Sequence, residues 1–461
     1  MRLWAIAERN VRQRFVTSAL TVLSIMMGTG LVAFLWLAAD QAEKRYNQSS
    51  RGFSAILGPK DGSPLEIVLS TVFHTTASAG VIPISVYRTV REDRRIYRKL
   101  GVRYAIPFVF GDNYRDYPLI GTTNEWFTEF ARGKETVVVP ESEGGGEREE
   151  PLHLQLAEGK TWDFSHEDLL AEAELQAAHL QQYDAGEEVE LPVAPEAWKQ
   201  VVLGAEVARR LELKIGDRIV PTHGFEDSFH PHPEGESEVI GILEATGAPI
   251  DRAIYAPAGL LYRMSGHRAI GKGQELVPQN VELSAVIVDM KSPIGAYRLR
   301  YEFQRRGDAQ VAVPIVEINK LFQIVGNVTL ALRAVSLLVL FTGALAIFIS
   351  LYQTMFARQR DVAIMRSLGA RRSQIFGIVL IEALLLSLMG ALLGLFAAHS
   401  AAWGFSDLLL DRTGVPLEGF VFSWVDAALV GGVCLLGAIA GLLPALRTSM
   451  TDVARFLSQD R

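Results

Sequence analysis

Four stretches of this chain stay apolar for longer than a globular core requires. Residues 16–39 are an uncharged run of 24 residues, which as a helix spans about 36 Å and crosses a bilayer with some tilt. The run is too long for a signal-peptide core, so it reads as a retained membrane helix. A second uncharged run covers 334–356. A third covers 373–403 and is interrupted only by Glu382 and His399 in its apolar part. A fourth covers 424–446, with Asp426 at its start and Pro444 near its end. Glu382 would be costly if left bare in lipid, so it is expected to be protonated, or to face the bundle or the cytoplasmic interface. Gly390, Gly394 and Ala398 recur every four residues, a spacing that allows close helix–helix contact, and Gly437, Gly441 and Pro444 repeat the pattern less cleanly.

Between the first and second runs the pattern changes to that of a folded α+β domain, residues 40–333. Strands are expected at 53–57, 66–69, 102–110 (interrupted by Pro107), 218–220 and 309–313. Residues 238–244 and 254–256 look like paired strands, and 281–289 is a further strand. Helices are expected at 85–100, 206–213 and 293–306, and a long helix from Ile315 runs into the second span. Residues 140–198 differ from their surroundings. The acidic, glycine-rich 141–150 reads as a linker or exposed loop, and 165–183 as a polar helix, together suggesting an inserted subdomain or loop. The expected fold class is therefore an α-helical membrane protein with four spans and a large extracytoplasmic α+β domain between spans one and two.

Charge orients this arrangement. The whole chain of 461 residues carries a net charge of -7, which gives no reason to expect a nucleic-acid partner. Residues 1–15, 357–372 and 447–461 together hold 12 basic and 4 acidic residues, whereas 40–333 holds 32 basic and 43 acidic. The positive-inside rule puts both termini and the 357–372 loop in the cytoplasm, and places 40–333 and the short loop 404–423 outside. The remaining cytoplasmic segments are too short for a catalytic domain. No GxxxxGK[ST] phosphate loop occurs, nor a G-x-S-x-G or H-E-x-x-H constellation, so no enzymatic activity of its own is expected. The one cysteine, Cys434, excludes an internal disulfide.

The cytoplasmic loop carries the most informative pattern. Val362, Ile364, Met365 and Leu368 fall near helical spacing among Arg360, Asp361 and Arg366, and Gly369 suits a helix stop. A short amphipathic helix along the membrane fits, its apolar face meeting lipid headgroups or another protein. This segment, Arg360-Asp361-Val362-Ala363-Ile364-Met365-Arg366-Ser367-Leu368-Gly369-Ala370, resembles the Arg-rich stretch ending in R-x-L-G-A of the MacB/FtsX/LolC-type permeases of ABC transporters, with Asp361 where Glu is usual. The basic lead-in Glu8-Arg9-Asn10-Val11-Arg12, the stretches 201–204, 213–217, 239–243 and 247–252, and the closing residues 447–457 are similar to the same family.

That resemblance implies a permease subunit in a bacterial inner membrane, bearing a periplasmic domain and relaying the work of a separate ABC ATPase dimer by mechanotransmission. ATP and Mg would be bound by the ATPase, not by this chain. A second permease copy, identical or related, and an external-side protein would complete the assembly. Arg360, Asp361, Ile364, Met365, Arg366, Leu368 and Gly369 would form the ATPase-coupling contact. Residues 2–15, with Trp4, Ala7, Val11 and Phe15 on one face, would anchor at the membrane surface or add a contact. Substrate export, extraction or lipoprotein release, and activation of an external hydrolase all remain open. The alternative from another class is a membrane sensor or scaffold whose external domain binds a ligand.

One feature of the residues themselves speaks to such a ligand. His223, His230 and His232 lie close together, and on a strand His230 and His232 would share a face. With His223 or a nearby acid they are candidate ligands for Zn or Cu ions, although the prolines flanking His232 also suit an exposed polar loop.

Overall fold

Each of the four apolar runs lies within a long helix. The computed structural model describes residues 3–49, 52–139, 146–186, 193–224, 230–265, 267–357, 359–406, 408–409 and 417–450. The helices Phe15–Ser49, Pro314–Ala357, Arg372–Gly404 and Trp424–Ser449 each contain a segment long and apolar enough to cross a membrane. The chain divides into a membrane unit, residues up to Glu43 and from Gln323 onward, and a sheet unit, Lys44–Phe322.

In the membrane unit Ile25, Leu340, Ile347, Leu351, Ala383 and Val433 form the inner packing, while Leu337, Phe341, Leu435 and Ile439 are exposed, as a lipid-facing surface requires. Small residues set the closest approaches. A Cβ on Gly394 would lie 2.6 Å from the Met26 carbonyl oxygen and 3.0 Å from the Gly30 nitrogen, and one on Gly390 would lie 2.6 Å from the Ile25 Cβ. Gly437 and Gly441 of the last helix pack in the same way against Ser387 and Ala383. Both small-residue rows thus form helix–helix contacts. Glu382 is buried and accepts a hydrogen bond at 3.4 Å from Asn10 Nδ2 of the N-terminal helix, so it is not left bare, and a partner from that helix suits the interfacial reading. The N-terminal helix Leu3–Gln13 ends before Phe15, which begins the next helix; Ala7 is buried, whereas Trp4 and Phe15 are exposed. Phe15 therefore lies beyond the helix that carries Trp4, Ala7 and Val11.

The strands of the sheet unit are β1 (Ala55–Gly58), β2 (Ile82–Pro83), β3 (Val102–Tyr114), β4 (Tyr117–Thr122), β5 (Ala131–Val139), β6 (Gly146–His153), β7 (Leu156–Gly159), β8 (Gln200–Leu203), β9 (Arg218–Ile219), β10 (Thr222–His223), β11 (Ser237–Leu243), β12 (Ile254–Pro257), β13 (Glu282–Leu283), β14 (Ala285–Met290) and β15 (Gln310–Ala312). Eleven of them form one mixed sheet in the order β15-β1-β14-β3-β4-β12-β8-β11-β7, with β10 on β3 and β9 on β11. An aromatic core of Phe53, Phe108, Trp126, Phe130 and Tyr255 lies against it.

Several expectations give way here. Residues 66–69 are not a strand but part of helix Pro64–Thr71, because Ser63 and Glu66 form a reciprocal capping box and Pro64 opens the first turn. The 85–100 helix is two helices, Ile84–Glu92 and Arg94–Leu100, since Asp93 caps the second. Pro107 does not interrupt β3, which pairs continuously with β14 through it. The strands β11 and β12 do not pair with each other; β8 lies between them, parallel to β11 and antiparallel to β12. The expected 281–289 strand is divided at Ser284, whose hydroxyl accepts a hydrogen bond from the Phe110 N–H.

The 141–150 linker reading also fails in part. Residues 140–145 lie outside the described residues, but Gly146–Glu150 belong to β6, which pairs with β5. Nor is 140–198 a separate subdomain. The strand β7 is an edge of the main sheet, and helix His166–Asp184 buries Leu169, Ala173, Ala177 and Leu180 in the common core.

Candidate functional site

The loop after the second span folds as helix Gln359–Ser367. It closes on a Schellman motif. Gly369 adopts φ +99, its N–H donates to the Arg366 carbonyl, and the Ala370 N–H donates to the Met365 carbonyl. Glycine is required at that left-handed position. Val362 and Ala363 are buried, while Ile364 and Leu368, one turn apart, are 42% and 83% exposed. Met365 and Arg366 are half-buried and Gly369 is exposed. The side chains of Arg360 and Asp361 lie outside the described residues. The helix therefore presents two large apolar side chains outward at its C-terminal end, flanked by arginines.

In the sheet unit a second constellation forms where β10 pairs with β3, placing His223 across from Asp112. A β-bulge in β3 between Val109 and Asp112 turns the strand just before this acid. Gly111 permits a close approach, because a Cβ there would lie 3.0 Å from the His267 ring. After His223 the chain turns back, and residues 225–229 lie outside the described ones. The return is held by the His223 N–H to the His230 carbonyl and by the His232 N–H to the Pro221 carbonyl. His267 arrives from beyond helix Ala258–Tyr262.

Three histidine nitrogens thereby surround one oxygen. His267 Nε2, His223 Nδ1 and His232 Nε2 lie 3.2, 3.4 and 3.5 Å from Asp112 Oδ1. One donor atom from each of the four residues lies within 4.8 Å of the others. The imidazole rings stand at 67–80° to one another. Asp112 and His232 are buried, His267 is half-buried and His223 is exposed. The other nitrogen of His232, Nδ1, faces Glu234 Oε1 at 3.4 Å, and Glu234 is itself fixed by the Ser265 N–H at 2.7 Å. Burial opposes the charge of Glu234, but hydrogen bonds from Ser265 and His232 hold its carboxyl down to about 2. A cavity of about 210 Å³, lined by Ser70, His74, Phe110 and Gly224, reaches Asp112.

The structure thus brings His223 and His232 together but leaves exposed His230 outside the cluster. Strand alternation is lost past Pro231: His232 has φ -105 and ψ 84 and opens the turn Pro233–Gly235, so His230 and His232 do not share a face as a simple strand would have them. Asp112 and His267 are the members that sequence reading missed, and no local spacing pointed to them.

Comparison with known proteins bears on the membrane unit first. Residues 333–453 match the FtsX-like permease C-terminal family. The macrolide export ATP-binding/permease protein MacB of Psychrobacter arcticus is 23% identical over 230 residues, covering 48% of this chain and 33% of that protein. The pyoverdine export ATP-binding/permease protein PvdT of Pseudomonas putida is 23% identical over 232 residues, with the same two coverages, 48% and 33%. The ABC transporter permease YknZ of Bacillus subtilis is 31% identical over 138 residues, 29% of this chain and 32% of that one. The chain thus covers about a third of the length of the curated relatives it matches. Its C-terminal membrane part is similar to the FtsX-like permeases of ABC transporters, and four of its helices are long and apolar enough to cross a membrane, as in a multi-pass membrane protein.

Proposed function

We propose that this chain is the permease subunit of an ABC transporter and couples ATP hydrolysis on a separate ATPase to movement of its sheet unit on the far side of the membrane. The observation that carries this reading is the helix Gln359–Ser367, with Ile364 and Leu368 exposed beside arginines in the FtsX-like part of the chain. An apolar pair one turn apart on a short capped helix suits insertion into a groove of a partner. The excess of arginine in 1–15, 357–372 and 447–461 supports a cytoplasmic location for this helix and for both termini, with the sheet unit outside. Asp361 and the neighbouring arginines would add charge pairing with the ATPase. Two permease copies, identical or related, would flank an ATPase dimer in a bacterial inner membrane, and an external-side partner would meet the sheet unit. The cargo is a substrate exported, extracted or released on that outer side.

Purification in mild detergent from the native organism tests the coupling helix. An ABC ATPase is expected to accompany the wild-type chain, and Leu368→Glu is expected to reduce its recovery at least tenfold while the tryptophan fluorescence of the sheet unit is unchanged. Equal recovery with Leu368→Glu overturns the assignment of this helix. Absence of any ATPase from the wild-type preparation favours the second reading, a membrane sensor or scaffold, for which the donor cluster of the sheet unit is the supporting observation.

A further inference from the structure

We infer that Asp112, His223, His232 and His267 form a binding site for one Zn²⁺ ion in the sheet unit. Three imidazole nitrogens and one carboxylate oxygen are the donor types zinc takes, with bonds of about 2.0–2.1 Å in a tetrahedron. The edge of such a tetrahedron is about 3.3–3.4 Å. The three histidine nitrogens lie 3.2, 3.4 and 3.5 Å from Asp112 Oδ1, so these three edges already have the length a zinc ion would impose. The remaining separations are up to 4.8 Å, so the histidine rings would move together by up to about 1.4 Å on binding to reach that edge.

Two further observations support the site. Asp112 Oδ2 and His232 Nε2 are buried without a hydrogen-bond partner among the described residues, and a buried unpaired polar atom is costly. His232 also carries the supporting contact usual for a metal-binding histidine: its Nδ1 faces the Glu234 carboxylate, leaving Nε2 directed at the cluster. Glu234 orients the ring in this scheme and is not a ligand. His223 stands at the solvent edge, 53% exposed, and provides the entry side. The donors come from β3, from the hairpin around His223 and His232, and from the segment after helix Ala258–Tyr262. A bound ion would therefore pin three separate stretches together.

Zinc titration of the full-length, chelator-treated chain in detergent tests the site, with bound metal measured by elemental analysis and stability by thermal unfolding. One zinc per chain is expected, with a rise in the unfolding temperature. Asp112→Asn and His267→Gln are expected to lose both at micromolar zinc. Glu234→Gln should weaken binding about 10–100-fold, and His230→Ala should leave it unchanged. Substitution with Co²⁺ should give the intense visible bands of a tetrahedral centre. Because the metal-free unfolding temperature of each variant reports folding separately, loss of binding in a variant as stable as metal-free wild type supports the site. The proposal is overturned by a wild-type chain that binds no zinc at micromolar concentration, by binding that survives Asp112→Asn and His267→Gln, or by equal loss in His230→Ala.

Discussion

At the scale of single residues, burial decides what a side chain can do with a proton. Burial holds the His74 pKa down to about 4, against a carbonyl contact from Ser70 that raises it, with the positive charge of Arg252 lowering it further. In the unfolded chain the same imidazole titrates near 6.5. Between those values the unfolded state binds the proton and the folded state does not. The contribution of neutral His74 is therefore complete above about pH 6.5 and is lost as pH falls toward 4, at most about 3 kcal/mol in all. His74→Asn removes the titration, and asparagine tolerates the left-handed φ of +52 found there. In zinc-free buffer the denaturant midpoint of the sheet unit should fall less between pH 6.5 and 4 in this variant than in wild type; superimposable pH curves would refute the argument. Individual residues were legible in the sequence only where their partners were near. His223 and His232 stand nine residues apart and drew notice together. Asp112 and His267 are 155 residues apart, and only the bulge in β3 and the glycine before Asp112 bring them into contact.

At the scale of elements, legibility follows how much of the stabilising interaction is local. The spans were plain because a bilayer imposes length and apolarity on one continuous stretch. Helix Pro293–Arg306 was plain because its own residues supply the proline start and the Gly307 stop. Residues 66–69 misled because apolar residues in a four-residue window suit either state, and the cap at Ser63 decided it. The order β12-β8-β11 could not be read, since strand partners are chosen by long-range packing rather than by pattern. The small-residue rows allow a quantitative test. A side chain on Gly394 must displace backbone atoms of Met26 and Gly30, whereas nothing lies within 4 Å of a Cβ on Gly431. Gly394→Leu is expected to destabilise the membrane unit by about 1–3 kcal/mol or more, and Gly431→Leu to have little effect. Thermal unfolding in one detergent compares the two; equal shifts would show that the close approach does not matter to stability.

At the scale of the whole molecule, the proposed relay depends on one element having enough length to serve both units. Helix Pro314–Ala357 has 44 residues, about 66 Å at 1.5 Å each, against about 30 Å for the hydrocarbon core of a bilayer. Its span-like segment begins only at Leu330. Its first turns are rooted in the sheet unit, where Ile318 is buried in the core and Glu317 pairs with Lys320 at 2.9 Å and Arg300 at 3.8 Å. A continuous helix resists bending because each turn is hydrogen-bonded to the next, and this stiffness is what the proposed relay would use. Three glycines inserted after Gly326 should remove that stiffness, since each disfavours helix by about 1 kcal/mol. The ATPase should still bind, because Ile364 and Leu368 are untouched. Hydrogen exchange in the sheet unit, compared between nucleotide-free and Mg-ATP-trapped complexes, should change in wild type, and the change should shrink by more than half after the insertion. No nucleotide-dependent change in wild type would end the proposal of mechanical coupling. A full change in the insertion variant would instead keep the coupling and assign its route to a different element, the helix Phe15–Ser49 being the next to test.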